Sequence, residues 1–556
     1  MNAKLEIVDI PRDRIEAALA AARPALAEGD FGVLERVAGA YLTLVEVLAR
    51  KDLSLRRLRR MLFGAATEKT ATVLGSATEG RGGEPSQGAA PPGGSDPPKD
   101  GAGRQARGHG RNGEEDFPGA SRRRIQHEKL RSGDGCPGCS KGKVYPQADR
   151  PGILVRVIGQ PPLTATVYEL EKLRCNTCGE IFEAEPPPGV GTEKYDASAA
   201  SMIGLLKYGG GVPFYRLGKV QTGLGIPLPA STQWEIVRDA AAHLEPVHEE
   251  LIRQAAQGKV LYNDDTGMRI LERMGKRRER ARCAQAESGE PEVAETKAGR
   301  TGIFTTGIVS EVRDRRIALF FTGGRHAGEN LARVLAERAE GRRPPIQMCD
   351  ALSRNVPGDF ETILANCVTH GRRNFVDVVE SFPRECEYVL RQLGEVYKND
   401  AVAREREMTD VERLRYHQER SGPVMEDLQA WMEAQLVEKK VEPNSGLGEA
   451  IRYFLKRWDE LTLFLRKAGA PLDNSVCERA LKKAVLHRKN ALFYKTDKGA
   501  HVGDVFMTLI HTCELNGVNP FDYLTEIQRH AEEARAEPGK WLPWNYRRAR
   551  PRSPPD

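Results

Sequence analysis

The segment Val260–Gly267, Val-Leu-Tyr-Asn-Asp-Asp-Thr-Gly, constrains this chain more than any other. Val260, Leu261 and Tyr262 form a short apolar run, which predicts a strand buried on both faces. Asp264 and Asp265 fall where such a strand leaves the core, in a run that would also suit an ordinary acidic turn. A carboxylate at the end of a central strand is a rigid platform for a divalent metal, so its meaning depends on partners elsewhere. Met268–Leu271 is the expected hairpin partner of this strand, and Lys276–Arg300 reads as a charged exposed loop. Thr301–Ser310 and Arg316–Thr322 follow as strands, residues 326–340 as a helix, and Ile346–Asp350 as an apolar strand that again ends in an aspartate.

Strands, a crossover helix and a further strand form the order of an RNase H-like core, in which the first and fourth strands lie side by side. That would bring Asp264 and Asp350 together. Asn366–Arg373 reads as another strand running into a helix, clustering His370, Arg372 and Arg373 at the helix start. Residues 381–470 show only helical patterns, so an all-α block interrupts the core. After it, Asp473-Asn-Ser-Val-Cys-Glu478 opens an amphipathic helix, and Glu478 is the candidate third carboxylate. The competing reading of Ser475-x-x-Glu478 is a capping box, with the glutamate merely closing the helix N-terminus.

The formal net charge of +6 permits nucleic-acid binding without demanding it. No apolar run is long enough to span a membrane and no signal-peptide pattern opens the chain, which points to a cytoplasmic, nucleoid-associated protein. In that reducing compartment Cys136-Pro-Gly-Cys139 and Cys175-Asn-Thr-Cys178 read as two knuckles of a structural zinc site. Strands at Ile153–Ile158 and Ala165–Leu173 would complete a zinc ribbon. Leu34, Tyr41, Leu48, Leu55 and Leu62 are spaced by seven, with Val37, Leu44, Lys51 and Leu58 in the second seam, the signature of a coiled coil and hence of a homo-oligomer. Residues 65–125 are dominated by Gly, Pro, Ser, Ala and charge, and are expected to be a disordered linker. Helix, glycine-containing turn and helix between residues 191 and 250 outline a helix-turn-helix, with Ser231, Thr232 and Gln233 placed to face a DNA groove.

Several of these motifs resemble the transposases of the insertion sequence sixty-six family. The matching pieces are Leu62-Phe-Gly64 with Glu68-Lys69, the four knuckle cysteines, and Lys207–Arg216. Further matches are Asp264-Asp-Thr266, Cys367–Phe375, Glu478-Arg479 with Arg488-Lys-Asn490, and Leu515–Leu524. Two departures stand out: Asp265 replaces the family's usual glutamate, and Ala351-Leu-Ser353 replaces its usual Gly-Tyr run. The resemblance implies a DDE-type active site with Asp264, Asp350 and Glu478 holding two Mg²⁺ (or Mn²⁺) ions. It implies nicking of element ends followed by joining to target DNA, with His370, Arg372, Arg373, Arg488 and Lys489 contacting phosphate. Double-stranded DNA is the expected partner, possible accessory proteins of the same element aside, and no membrane is involved.

The expected architecture is multidomain α+β. It comprises a helical, leucine-rich coiled-coil segment (1–64), the linker (65–125), a zinc ribbon (126–190) and the helix-turn-helix region (191–250). The RNase H-like α/β core follows in two parts (251–380 and 471–530) around the all-α insertion (381–470), with a basic Pro/Arg-rich tail (531–556). Two other functions fit the same pieces: an inactive DNA-binding regulator of transposase descent, or an RNase H-like nuclease that cuts without joining.

Overall fold

The computed structural model describes residues 12–25, 30–39, 129–137, 141–145, 160–174, 176, 178, 181–191, 193–275 and 302–549. Arg12–Ala22 is helical, as are residues 30–39, where Leu34 and Val37 are exposed. The remaining heptad positions, Tyr41 to Leu62, and the 65–125 linker lie outside the described residues.

The chain divides into two compact units. The smaller contains the antiparallel pair β1 (Lys172–Arg174) and β2 (Ile181–Glu183). Cys178 lies in a turn between them in the chain. Cys136 lies beside the isolated bridge Gly135–Lys143, with its amide donating to the Gly142 carbonyl at 2.8 Å. Cys139 and Cys175 lie outside the described residues, as does the whole of the expected strand at Ile153–Ile158. Ala165–Leu173 is strand only at its C-terminal end, because pairing begins where β2 becomes available.

The larger unit is built on a five-stranded sheet. Its strands are β3 (Val260–Gly267), β4 (Phe304–Val312), β5 (Arg315–Gly323), β6 (Ile346–Cys349) and β7 (Ile363–Asn366), in the order β5-β4-β3-β6-β7. Strands β5, β4 and β3 are antiparallel, and β3, β6 and β7 run parallel. The helix α1 (Ala327–Leu335) makes the crossover from β5 to β6, burying Ala327, Leu331, Val334 and Leu335. This is the order anticipated for the core, with the first and fourth strands adjacent. One expectation fails: the hairpin partner of β3 is β4, and residues 269–271 pair instead with the chain near Tyr494. Met268 and Ile270 are buried, and the long-range pairing is one that local pattern could not foresee.

The helix α2 (Asp497–Leu515) covers the edge strand β5 with polar side chains. Asp504, Thr508 and Thr512 accept the amides of Thr322, Phe320 and Ala318 at 2.6, 3.1 and 3.1 Å. Four helical residues advance about 6 Å and two strand residues nearly 7 Å, so the rows match and the edge is blocked to further pairing. Two more helices of the larger unit are α3 (Ala230–Ala255) and α4 (Pro520–Arg529). In α3, Val237, Ala241, Leu244, Val247, Leu251 and Ala255 recur at helical spacing and are buried, so most of this helix is core. Residues 531–549 pack through Ala534, Trp541 and Tyr546, with the Tyr523 hydroxyl of α4 donating to the Trp541 carbonyl at 2.8 Å. The expected tail is thus folded up to residue 549, anchored by aromatic burial that its Arg/Pro composition obscured.

The all-α insertion consists of α5 (Pro383–Glu405), α6 (Asp410–Arg420), α7 (Gly422–Val437) and α8 (Gly446–Lys456). Its buried ionic centre is Asp400, bonded to Arg413 at 2.7 Å, Arg404 at 2.9 Å and His417 at 3.3 Å. Burial works against the charge, but the His417 hydrogen bond and the Arg413 and Arg404 charges hold this carboxyl down to about 2. A depressed carboxyl contributes stability above its ordinary 3.8 that is lost as pH falls toward 2. Asp400→Asn is therefore expected to cost about 3 kcal/mol in urea unfolding at neutral pH and to flatten the acid limb of the stability profile.

Candidate active site

The parallel register of β3 and β6 pairs Tyr262 with Met348. Carried two residues further, it sets Asp264 beside Asp350, where β6 ends while β3 runs on to Gly267 against β4. Asp264 shares its sheet face with Gly307 of β4, its partner in the antiparallel ladder. Against that face lies α9 (Ser475–Ala491), whose first turn carries Glu478. Gly307 makes the approach possible: a Cβ there would meet Leu481 Cγ and Cδ2 at 2.9 Å and Cys477 Sγ at 3.5 Å. The Cys477 thiol donates to the Gly307 carbonyl at 3.2 Å, which fixes the helix over the strand.

Glu478 does not close a capping box. Asn474, the residue before the helix, makes no side-chain cap, and the Ser475 hydroxyl turns back to donate to Asp473. Glu478 Oε1 is buried and has no hydrogen-bond partner. Burial raises the Asp264 carboxyl from 3.8 to about 7, and the Asp350 charge, with weaker help from Asp265 and Glu478, adds to that rise. Asp264 accepts one backbone hydrogen bond, from the Asp265 amide at 2.8 Å, and no ion pair reaches it among the described residues. A buried carboxyl beside other acids, with no cation paired to it among the described residues, sits in a place short of positive charge.

Asp265 points to the opposite face and is 2% exposed. It pairs with His326 Nδ1 and Arg354 Nη2, each at 3.2 Å. Because Arg354 follows β6, Asp265 ties the loop carrying Asp350 to β3. The same loop is held from within. Asn355 donates to Asp350 Oδ1, while its own carbonyl accepts Asn263 Nδ2 at 2.8 Å and Gln347 Nε2 at 2.7 Å. Gly328 of α1 leaves room for it, since a Cβ there would strike the Val356 and Arg354 carbonyls at 2.4 and 2.7 Å. Asn355→Ala should free Asp350 and lower activity about 10- to 100-fold, as losing an outer partner of a ligand does, with little change in unfolding midpoint. Steady-state cleavage rates and thermal melts measure both.

The other candidate residues separate. Gln233 is fully buried and donates to the Phe214 and Leu228 carbonyls at 2.9 Å, so its amide fastens the turn and cannot read a groove. Ser231 is exposed and Thr232 partly so. Arg372 is 6% exposed, on the buried side of the helix α10 (Val368–Val378), whereas Arg373 is exposed. Arg488 donates to Thr266 Oγ1 at 3.2 Å and to the Gly267 carbonyl, pinning the end of β3, and Lys489 is exposed. His370 lies beside Glu478, Nε2 to Oε1 3.8 Å. Polar residues that stabilise loops and strand ends look, in sequence, like residues that face a ligand.

A mixed sheet whose adjacent parallel strands carry Asp264 and lead into Asp350, with Glu478 on the first turn of the helix packed against it, concentrates negative charge at one place. Residues 193–502 match the transposase IS66 family, and the chain belongs to that family. Membership implies a transposase role, with the DNA binding and the nuclease or transferase activity that go with it. The chain is also similar to two uncharacterised proteins of Sinorhizobium fredii. One, y4jD, is 26% identical over 388 residues, 67% of this chain and 71% of the relative; the other, y4hP, is 27% identical over 397 residues, 68% and 67%. No described helix is long and apolar enough to cross a membrane.

Proposed function

We propose that the protein cleaves the ends of its insertion sequence and joins them to target DNA, using Asp264, Asp350 and Glu478 to hold divalent metal ions, Mg²⁺ or Mn²⁺. The observation that carries this reading is the placement of Asp264 and Asp350 two residues beyond the Tyr262–Met348 pair of the parallel strands β3 and β6, with the unbonded Glu478 Oε1 carried by the first turn of α9. The donor set fits: hard carboxylate oxygens suit Mg²⁺, and Glu478 Oε1 is buried without a hydrogen-bond partner. Such ions, when bound, activate an attacking water or 3′-hydroxyl and stabilise the leaving oxygen of an in-line phosphoryl transfer.

The protein's own residues set the geometry for this. Asn355 and the Asp265–Arg354 pair hold Asp350, Gly307 lets α9 bring Glu478 in, and Arg488 fixes the end of β3 beyond Asp264. Arg373, Lys489, Ser231 and Thr232 are the DNA-contacting candidates that remain solvent-accessible. Cys136, Cys139, Cys175 and Cys178 hold a structural zinc that stabilises the smaller unit, and the N-terminal heptads associate copies of the chain. The reaction takes place in the cytoplasm, at the nucleoid. Strand transfer by the full chain on terminal-repeat DNA, with Mg²⁺ and then with EDTA, tests the reading: joined products only with the metal are expected. Nicking without any joined product would instead favour a nuclease.

A further inference from the structure

Among the described residues, one group of three potential metal ligands has all its ligand atoms within 4.8 Å of one another, and it is Cys367, His370 and Glu478. Cys367 follows β7 directly, and His370 lies in the first turn of α10, so the strand end and helix start present both to the first turn of α9. Cys367 is buried, and its sulfur accepts the Asn474 amide at 3.3 Å. His370 Nδ1 and Glu478 Oε1 are both buried without a hydrogen-bond partner. Unmet polar groups of this kind indicate a missing ligand.

Zinc bonds of about 2.0–2.3 Å in a tetrahedron set ligand atoms roughly 3.3–3.8 Å apart, within reach of this cluster by small side-chain rotations. A thiolate and an imidazole favour zinc over magnesium. We propose that Cys367, His370 and Glu478 form a second, softer divalent site that takes Zn²⁺ with three protein ligands and one open position. Because Glu478 is shared, zinc bound here withdraws it from Asp264 and Asp350 and turns Mg²⁺-supported cleavage off. This second consequence rests on the proposed function; the site itself does not. Binding releases the Cys367 thiol proton, so affinity rises with pH.

The site is tested first by Co²⁺ titration of the full chain with its native zinc left in place. One equivalent should produce thiolate-to-cobalt charge-transfer absorption that is lost in Cys367→Ser and in His370→Ala and kept in Asp264→Asn. No absorption in the wild type, or absorption unchanged in both variants, overturns the site. Cleavage is the second arm. Micromolar Zn²⁺ should inhibit the Mg²⁺-supported wild type at least tenfold and Cys367→Ser little, whereas equal inhibition of the two overturns the shared-ligand control. A chain inactive with Mg²⁺ alone would count against the proposed function, and the cobalt result would still decide the site.

Discussion

Asp264→Asn is expected to abolish DNA cleavage and, at the same time, to stabilise the metal-free protein. Loss of a group that organises developing charge costs ~10²–10³-fold or more in rate. The stability effect follows from linkage. The folded carboxyl is raised to about 7 from an ordinary 3.8, first by burial and then by Asp350, so the native state keeps a proton that the unfolded chain releases. Its favourable contribution is intact below 3.8, falls as pH rises, and is gone above about 7, where the buried charge must form beside Asp350. Asparagine removes this slope. The wild type at pH 8 should therefore melt below Asp264→Asn without divalent metal and gain midpoint on adding Mg²⁺, a gain that shrinks below pH 7 as protons compete. The variant should show neither response. Thermal melts across pH 5–8, with and without Mg²⁺, read all of this, and an equal Mg²⁺ gain in both proteins would show that the ion binds elsewhere.

Gly307→Ala has the second large effect, because it adds an atom where α9 crosses the sheet. The new Cβ would lie 2.9 Å from two Leu481 carbons, closer than packed atoms tolerate. Overpacking of this kind costs about 1–3 kcal/mol. The larger consequence is positional: α9 carries Glu478, and a displacement of about 1 Å at a reacting group costs on the order of 10²-fold in rate. Adding Leu481→Ala removes the clashing atoms, so the double variant should recover part of the activity lost by Gly307→Ala. Independent, additive losses in the double-mutant cycle would show that the glycine does not set the helix position.

Glu478 was legible only from the helix that its segment opens, whereas Asp264 and Asp350 were legible as candidates because each follows an apolar strand run. The order β3, β4, β5, α1, β6 was legible for the same reason. Local pattern failed where long-range contacts decide. Met268–Leu271 reads as a hairpin return, yet its backbone pairs near Tyr494, more than 200 residues on. Gln233 and Arg372 have side chains suited to DNA, but both are buried, and no sequence period separates a polar residue facing a groove from one fastening a turn. Asn263, Gln347 and Asn355 escaped notice because their bonds join three separate segments. Asn263 did carry a signal, a fully buried polar side chain within the apolar run that leads to Asp264. Asp265 was ambiguous in sequence, and strand alternation resolves it by turning its carboxylate to His326 and Arg354 on the opposite face.

The central claim is that Asp264, Asp350 and Glu478 act as one metal-dependent centre for breaking and joining DNA. Its most direct test is a strand-transfer assay with the purified full chain and terminal-repeat DNA, comparing wild type with Asp264→Asn, Asp350→Asn and Glu478→Gln. The account predicts joined products for the wild type with Mg²⁺, none with EDTA, and none for any of the three folded variants. Strand transfer that survives any one of these substitutions would contradict it.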